Sequence, residues 1–180
     1  AFAEKVKQVP FGNPALEHMA VGPLIDANQV SFIQNHINDA VSKGASLVTG
    51  GQAIGNVLEP SVLVDVEPGM AVYNEESFGP LAAIYKANDF DHAVDIANDT
   101  SYGLSSGIVT NDLQKAFDFA LRVEAGSVHI NDNAFDDDPN APFGGFKDSG
   151  YGKENGRYSI EDMTELKWVT VQLGERPLPF

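Results

Sequence analysis

Cysteine is absent from this sequence. These 180 residues therefore build no disulfide, no thiolate metal site and no cysteine nucleophile. Basic residues are scarce as well: 11 lysines and arginines stand against 26 aspartates and glutamates, a formal charge of -15. Such a chain is repelled by nucleic acid phosphates and anionic membrane surfaces, so neither is expected as a partner. A dispersed, cytoplasmic protein suits that charge better. No apolar run approaches the roughly 18 residues of a spanning helix, and no signal peptide is recognisable. The nucleotide fingerprints are missing too. Glycines stand at 144, 145, 150, 152 and 156, but no strand leads into a Gly-x-Gly-x-x-Gly, and no Lys-Ser/Thr pair follows. His18, His36, His92 and His129 lie too far apart for metal-helix pairing, and His129, inside a strand, is the one expected to be buried. The acidic loop around Asp132 and Asp136–Asp138 fails the twelve-residue calcium pattern, and Ser149 lacks the glycine that a nucleophile elbow needs two residues before it. No metal site and no catalytic residue is assigned within the chain.

What remains is ordinary globular composition, 43% apolar and 21% charged, enough for one domain with a sizeable core. Residues 1–9 read as the end of a helix already under way, without an initiator methionine, so the chain is expected to begin inside a longer protein. Asp26 and Asn28 are candidate caps for a helix whose apolar face is Val30, Ile33, Ile37, Ala40 and Val41, stopped at Gly44. Strands are predicted at 46–49, 59–66, 81–85, 104–109 and 127–130. Between the last three fall helices marked by Phe90 to Ala97 and by Leu113 to Leu121, the second opened by Asn111 and Gln114 as a capping box. Strand-helix-strand alternation with short links predicts a parallel α/β sheet. Its functional edge then lies at the carboxyl ends of the strands, which makes the long loop 131–153 the candidate. A short helical stretch near 159–163 and an alternating strand at 166–173 follow. A terminal strand of that kind needs a partner edge.

The most unusual stretch is Asn74-Glu-Glu-Ser-Phe-Gly-Pro80, directly before the strand at 81–85. Paired carboxylates beside a buried strand are costly unless water or a ligand solvates them. Gly79-Pro80 fixes the turn and removes a backbone donor. Taken from composition and spacing alone, the chain is an acidic α/β domain with a functional loop.

Three stretches together resemble the aldehyde dehydrogenase superfamily: Asn74–Pro80, Ala97-Asn-Asp-Thr-Ser-Tyr-Gly-Leu104 and Pro142-Phe-Gly-Gly-Phe-Lys-Asp-Ser-Gly-Tyr-Gly152. Gly12-Asn-Pro14, Gly22-Pro-Leu-Ile25 and Gly50-Gly51 fall in the family's order as well. The resemblance covers nearly the whole chain. It implies the C-terminal, catalytic portion of an enzyme that oxidises an aldehyde to the acid with NAD or NADP, through a cysteine thiolate and a glutamate base that lie before residue 1. On that footing residues 1–165 are a partial parallel-sheet catalytic domain of the aldehyde dehydrogenase fold, and 166–180 are an oligomerisation strand and tail of a homo-oligomer, dimer or tetramer. The separate chain is expected to be inactive. The resemblance makes Glu76 the carboxylate for the nicotinamide ribose and Phe78 the aromatic beside the nicotinamide ring. Gln29 falls where some members contact the cofactor, although Phe32 replaces a lysine that accompanies it. Phe143 resembles an aromatic lining the aldehyde pocket. The loop 130–143, with its Asp-Asp-Pro and Phe135, is similar to that of benzaldehyde and vanillin dehydrogenases, while Leu81-Ala-Ala also appears in succinate-semialdehyde types. A competing reading is a non-catalytic dehydrogenase-like module kept for binding or assembly.

Overall fold

Why the first half of the chain folds as it does is clearest in its longest helix. In the computed structural model, which describes residues 1–135, 137–177 and 179, a short helix α1 (Phe2–Val6) precedes α2 (Ala27–Ser42). Asp26 opens α2 by accepting the Gln29 N–H at 2.9 Å, whereas Asn28 lies within the helix. Val30, Ile33, Ile37 and Ala40 recur on one face and are buried. At the far end Gly44 takes φ +109°, its N–H donates to Val41, and the Ala45 N–H donates to Ala40. These two bonds cap carbonyls that the last turn leaves open.

The chain divides into two units, Ala1–Thr100 and Ser101–Phe180. After α2 the first unit continues with β1 (Ser46–Thr49), a small antiparallel hairpin of β2 (Ala53–Ile54) and β3 (Val57–Leu58), then β4 (Ser61–Val64). One turn of helix, α3 (Ala71–Asn74), leads to β5 (Leu81–Ile84) and α4 (Phe90–Asn98), the latter capped by Asp89. β4 is central: antiparallel to β1 and parallel to β5, with Ser61 opposite Leu81 and Val64 opposite Ile84. Ile33, Ala40, Leu58, Leu63 and Met70 meet in one apolar cluster, the first four with no solvent exposure.

The second unit holds β6 (Tyr102–Gly103), β7 (Ser105–Ile108), α5 (Leu113–Arg122), β8 (Ser127–Ile130), β9 (Phe146–Lys147) and α6 (Gly156–Asp162). β7 and β8 form a parallel pair joined through α5, and β6 and β9 an antiparallel one.

The architecture is thus mixed α/β, and several expectations need correcting. β5 and β7 stand in separate sheets, because β5 pairs with β4 and β7 with β8. α5 is capped by Asp112, whose Oδ1 accepts from Gln114 and Lys115 at 3.0 and 3.1 Å; Asn111 lies one residue too early. α6 begins three residues before the predicted 159–163. Residues 166–173 form no strand, and all are exposed. Alternation makes a strand only where a second edge supplies hydrogen bonds, and no described residue pairs with this segment. Among the described residues no helix is long and apolar enough to cross a membrane.

Candidate functional site

The loop between α3 and β5 is held from behind by three residues of α2. Gln29 donates its side-chain amide to the Ser77 carbonyl at 2.7 Å. Ile33, four residues on, fills the space where a Cβ on Gly79 would stand. His36, at the same face, is 3% exposed; its Nδ1 lies 3.1 Å from Ser77 Oγ and its Nε2 3.3 Å from Glu75 Oε2. Phe32 covers the imidazole, with ring centroids 4.3 Å apart. The loop's far end is tied to the sheet by the Ser61 N–H donating to Pro80 O at 2.7 Å.

Held this way, the loop turns two groups outward. Glu76 is exposed, and Phe78 keeps 75% of its surface in solvent. Phe78 adopts φ +46°, an uncommon backbone for an aromatic residue. That conformation belongs to a position whose surroundings dictate it. The outcome is an exposed carboxylate and an exposed ring two residues apart on one loop. Glu76 and Phe78 are therefore carried by one loop, and Gln29 is joined to it from α2.

The rest of the first unit braces this region. Asp39 accepts from the Lys43 ammonium and from the Ala71 N–H at the start of α3. The Lys43 bond, then the Ala71 bond, hold its carboxyl below the usual aspartate range. Lys43 also donates to Gly69 O at 2.7 Å. Tyr73 donates its hydroxyl to Asp99 at 2.5 Å and meets Tyr85 edge-on, centroids 5.3 Å apart. That bond to a carboxylate, with some desolvation, pushes the Tyr73 phenol up to about 12.

In the second unit the loop 131–153 is far from structureless. β9 pairs Phe146 with Gly103 and Lys147 with Tyr102, which joins two of the quoted sequence motifs through their backbones. Ser149 Oγ accepts the Gly103 N–H at 2.9 Å, so that hydroxyl is structural. Lys153 donates to Gly144 O at 2.6 Å and to Gly126 O at 3.3 Å. Phe143 exchanges both backbone bonds with Glu154, at 3.0 and 2.8 Å. Its half-buried side chain lines a cavity of about 260 Å³ with Leu104, Ser149, Tyr151 and Lys153. Phe135 is 89% exposed; its N–H donates to Asn133 Oδ1. Asp136 lies outside the described residues. Its neighbours are tied down: Asn155 donates to Asp137 Oδ1 at 3.1 Å, and the Asn140 N–H to Asp138 Oδ1 at 2.8 Å.

Residues 1–169 match the aldehyde dehydrogenase family. This chain belongs to that family. A benzaldehyde dehydrogenase of Bacillus subtilis is 40% identical over 179 residues, 99% of this chain and 37% of the relative. A vanillin dehydrogenase of Pseudomonas fluorescens is 44% identical over 177 residues, 98% of this chain and 37% of its own length. The crystal structure of a salicylaldehyde dehydrogenase from Pseudomonas putida G7, complexed with salicylaldehyde, superposes with a TM-score of 0.92 at 38% identity, covering 99% of this chain and 37% of that one. An aldehyde dehydrogenase from Mycobacterium tuberculosis complexed with NAD+ gives 0.88 at 35% identity, covering 97% and 37%. The NADP complex of a glyceraldehyde-3-phosphate dehydrogenase from Methanocaldococcus jannaschii gives 0.87 at 37%, covering 92% and 36%. The chain spans little more than a third of the relatives it matches.

Within this aldehyde dehydrogenase chain, His36 is the residue that sequence reading passed over. His129, expected to be buried, is only half-buried on β8, because a strand paired on one edge in a two-stranded sheet is incompletely covered. The signal for His36 was available: it lies seven residues after Gln29 and between Ile33 and Ile37, on the face that helical spacing buries.

Proposed function

We propose that the natural protein containing these residues oxidises an aromatic aldehyde to its acid with NAD or NADP. The observation that carries this is the outward pairing of Glu76 and Phe78 on a braced loop in a chain of this family. The donor set fits a dinucleotide's nicotinamide riboside: an ionised carboxylate accepts two hydroxyl protons of a diol, and an open phenyl face suits a flat ring. The bound dinucleotide supplies the hydride acceptor. Gln29 completes the cofactor side by supporting the loop from α2. Phe143 and Phe135 supply aromatic walls on the aldehyde side, and the relatives named for benzaldehyde, vanillin and salicylaldehyde support that substrate class. With no cysteine present, these 180 residues alone do not turn over on this reading; the nucleophile comes from elsewhere in the protein. Residues 1–165 act as the catalytic-domain portion, and 166–180 as the oligomerisation segment of a homo-oligomer.

The test follows reduced cofactor with vanillin, benzaldehyde, salicylaldehyde and succinate semialdehyde, each with NAD and with NADP. The expected result is a kcat/KM at least about tenfold higher for the aromatic aldehydes, on the order of 1.4 kcal/mol of discrimination. Preference for the semialdehyde overturns the substrate class. Cofactor binding without turnover of any aldehyde favours the non-catalytic module.

A further inference from the structure

The face of α2 that carries Gln29, Ile33 and His36 grips the loop at Ser77, Gly79 and Glu75, the residues on either side of Glu76 and Phe78. Two of these grips are ordinary: an amide to a carbonyl, and apolar contact. The third is not. A histidine 3% exposed is costly unless both ring nitrogens are satisfied, and here both are spent on one short loop. We propose that His36 is the positioning residue for the cofactor side of the site, orienting the Glu76 carboxylate by fixing its two neighbours.

The bonding direction at Nε2 follows from its partner. Glu75, when ionised, only accepts, so Nε2 carries the proton and donates to Oε2. At Nδ1 the ring meets the Ser77 hydroxyl, which can serve as donor or acceptor there. Ser77 is further held through its carbonyl by Gln29. Residues 75 and 77 are thus pinned to α2, and Glu76 between them is exposed. The Glu75 carboxylate, though largely exposed, is drawn to the buried imidazole at 3.3 Å. Phe32 packs against the imidazole with the two rings tilted by 51°. His36, 3% exposed behind the loop, acts only through it.

This inference rests on the reading of Glu76 as the cofactor's carboxylate, and the experiment separates the two. Cofactor dissociation constants are read from reduced-cofactor fluorescence, and KM values for cofactor and aldehyde from steady-state rates, in the natural protein. His36→Leu keeps an apolar filling but removes both bonds. His36→Gln offers a carbonyl and an amide N–H in place of the two ring nitrogens. The expected result is a cofactor dissociation constant raised about tenfold by His36→Leu, with aldehyde KM little changed, and largely recovered by His36→Gln. Combining His36→Leu with Glu76→Gln should add little to the larger single effect, because the positioned group is already gone. Equal changes in cofactor and aldehyde constants, no better behaviour of the glutamine variant, or fully additive losses overturn the positioning role. If His36→Leu does not fold, Ser77→Ala carries the test: an unchanged cofactor constant there also overturns it. If Glu76→Gln itself leaves cofactor binding intact, the reading of the cofactor side fails, and this inference fails with it.

Discussion

Gly79 has no side chain for a reason that the backbone alone does not give. Ile33, fully buried on α2, places its Cδ1 where a Cβ would stand, so that tip must move for any side chain here. Gly79→Ala is therefore expected to cost on the order of 1–3 kcal/mol as overpacking. Ile33→Val removes the clashing methyl at a cost of about 0.5–1.5 kcal/mol on its own. The double variant should lose less than the sum of the two, a result that denaturant melts of all four proteins read directly. Tyr73 gives a second prediction at this scale. Its phenol, pushed up to about 12 by the bond to Asp99, holds its proton in the folded state after an unfolded tyrosine has lost it. The folded state then binds more protons, so the stabilisation is complete below the ordinary tyrosine range and fades as pH rises through about 12. Tyr73→Phe should flatten the alkaline limb of a stability-against-pH curve, with its loss of stability largest in the neutral region, where the bond to Asp99 is fully in force.

Helix ends show how far local chemistry carries a sequence reading, and where it stops. Asp26 and Gly44 bound α2 as their types predict, since a carboxylate satisfies early N–H groups and glycine accepts a positive φ. For α5 the capping-box spacing pointed to Asn111. Geometry chose Asp112, whose single oxygen collects two N–H groups. Asp112→Ala is expected to cost about 1 kcal/mol and Asn111→Ala less than about 0.5, measured by thermal or denaturant unfolding. Pairing between distant strands was less legible. Nothing in residues 102–103 announces residues 146–147, because a two-residue strand has no period to read. The candidate loop at 74–80 was visible from its carboxylates and its Gly-Pro. Its bracing by α2 was not, since a histidine on an apolar face reads as filling until its partners are seen.

At the scale of the whole molecule, the acidic excess and the exposed end of the chain pull in opposite directions. A charge of -15 keeps copies apart, yet Leu166, Trp168, Val169, Val171 and Leu173 are all largely exposed. On the proposed reading these residues meet a second copy, and the single tryptophan reports it. Trp168 emission should shift to the blue as protein concentration rises, earlier at high salt where charge repulsion is screened. Sedimentation should show the same midpoint. An emission maximum independent of both variables counts against self-association through this segment. The glycine contacts of the second unit bear on descent as well as on folding. A Cβ on Gly103 would overlap the Glu124 carbonyl, and one on Gly126 would overlap that of Gly144. On the proposed reading, a lineage that shifts toward a new aldehyde has little latitude at these positions, where any first step is penalised before selection can act on the second. Its accessible route runs through residues 133–135 and 137–142, where every described residue but Ala134 is exposed. On that reading, heritable change in preference is steered to the rim of the loop while its root stays fixed.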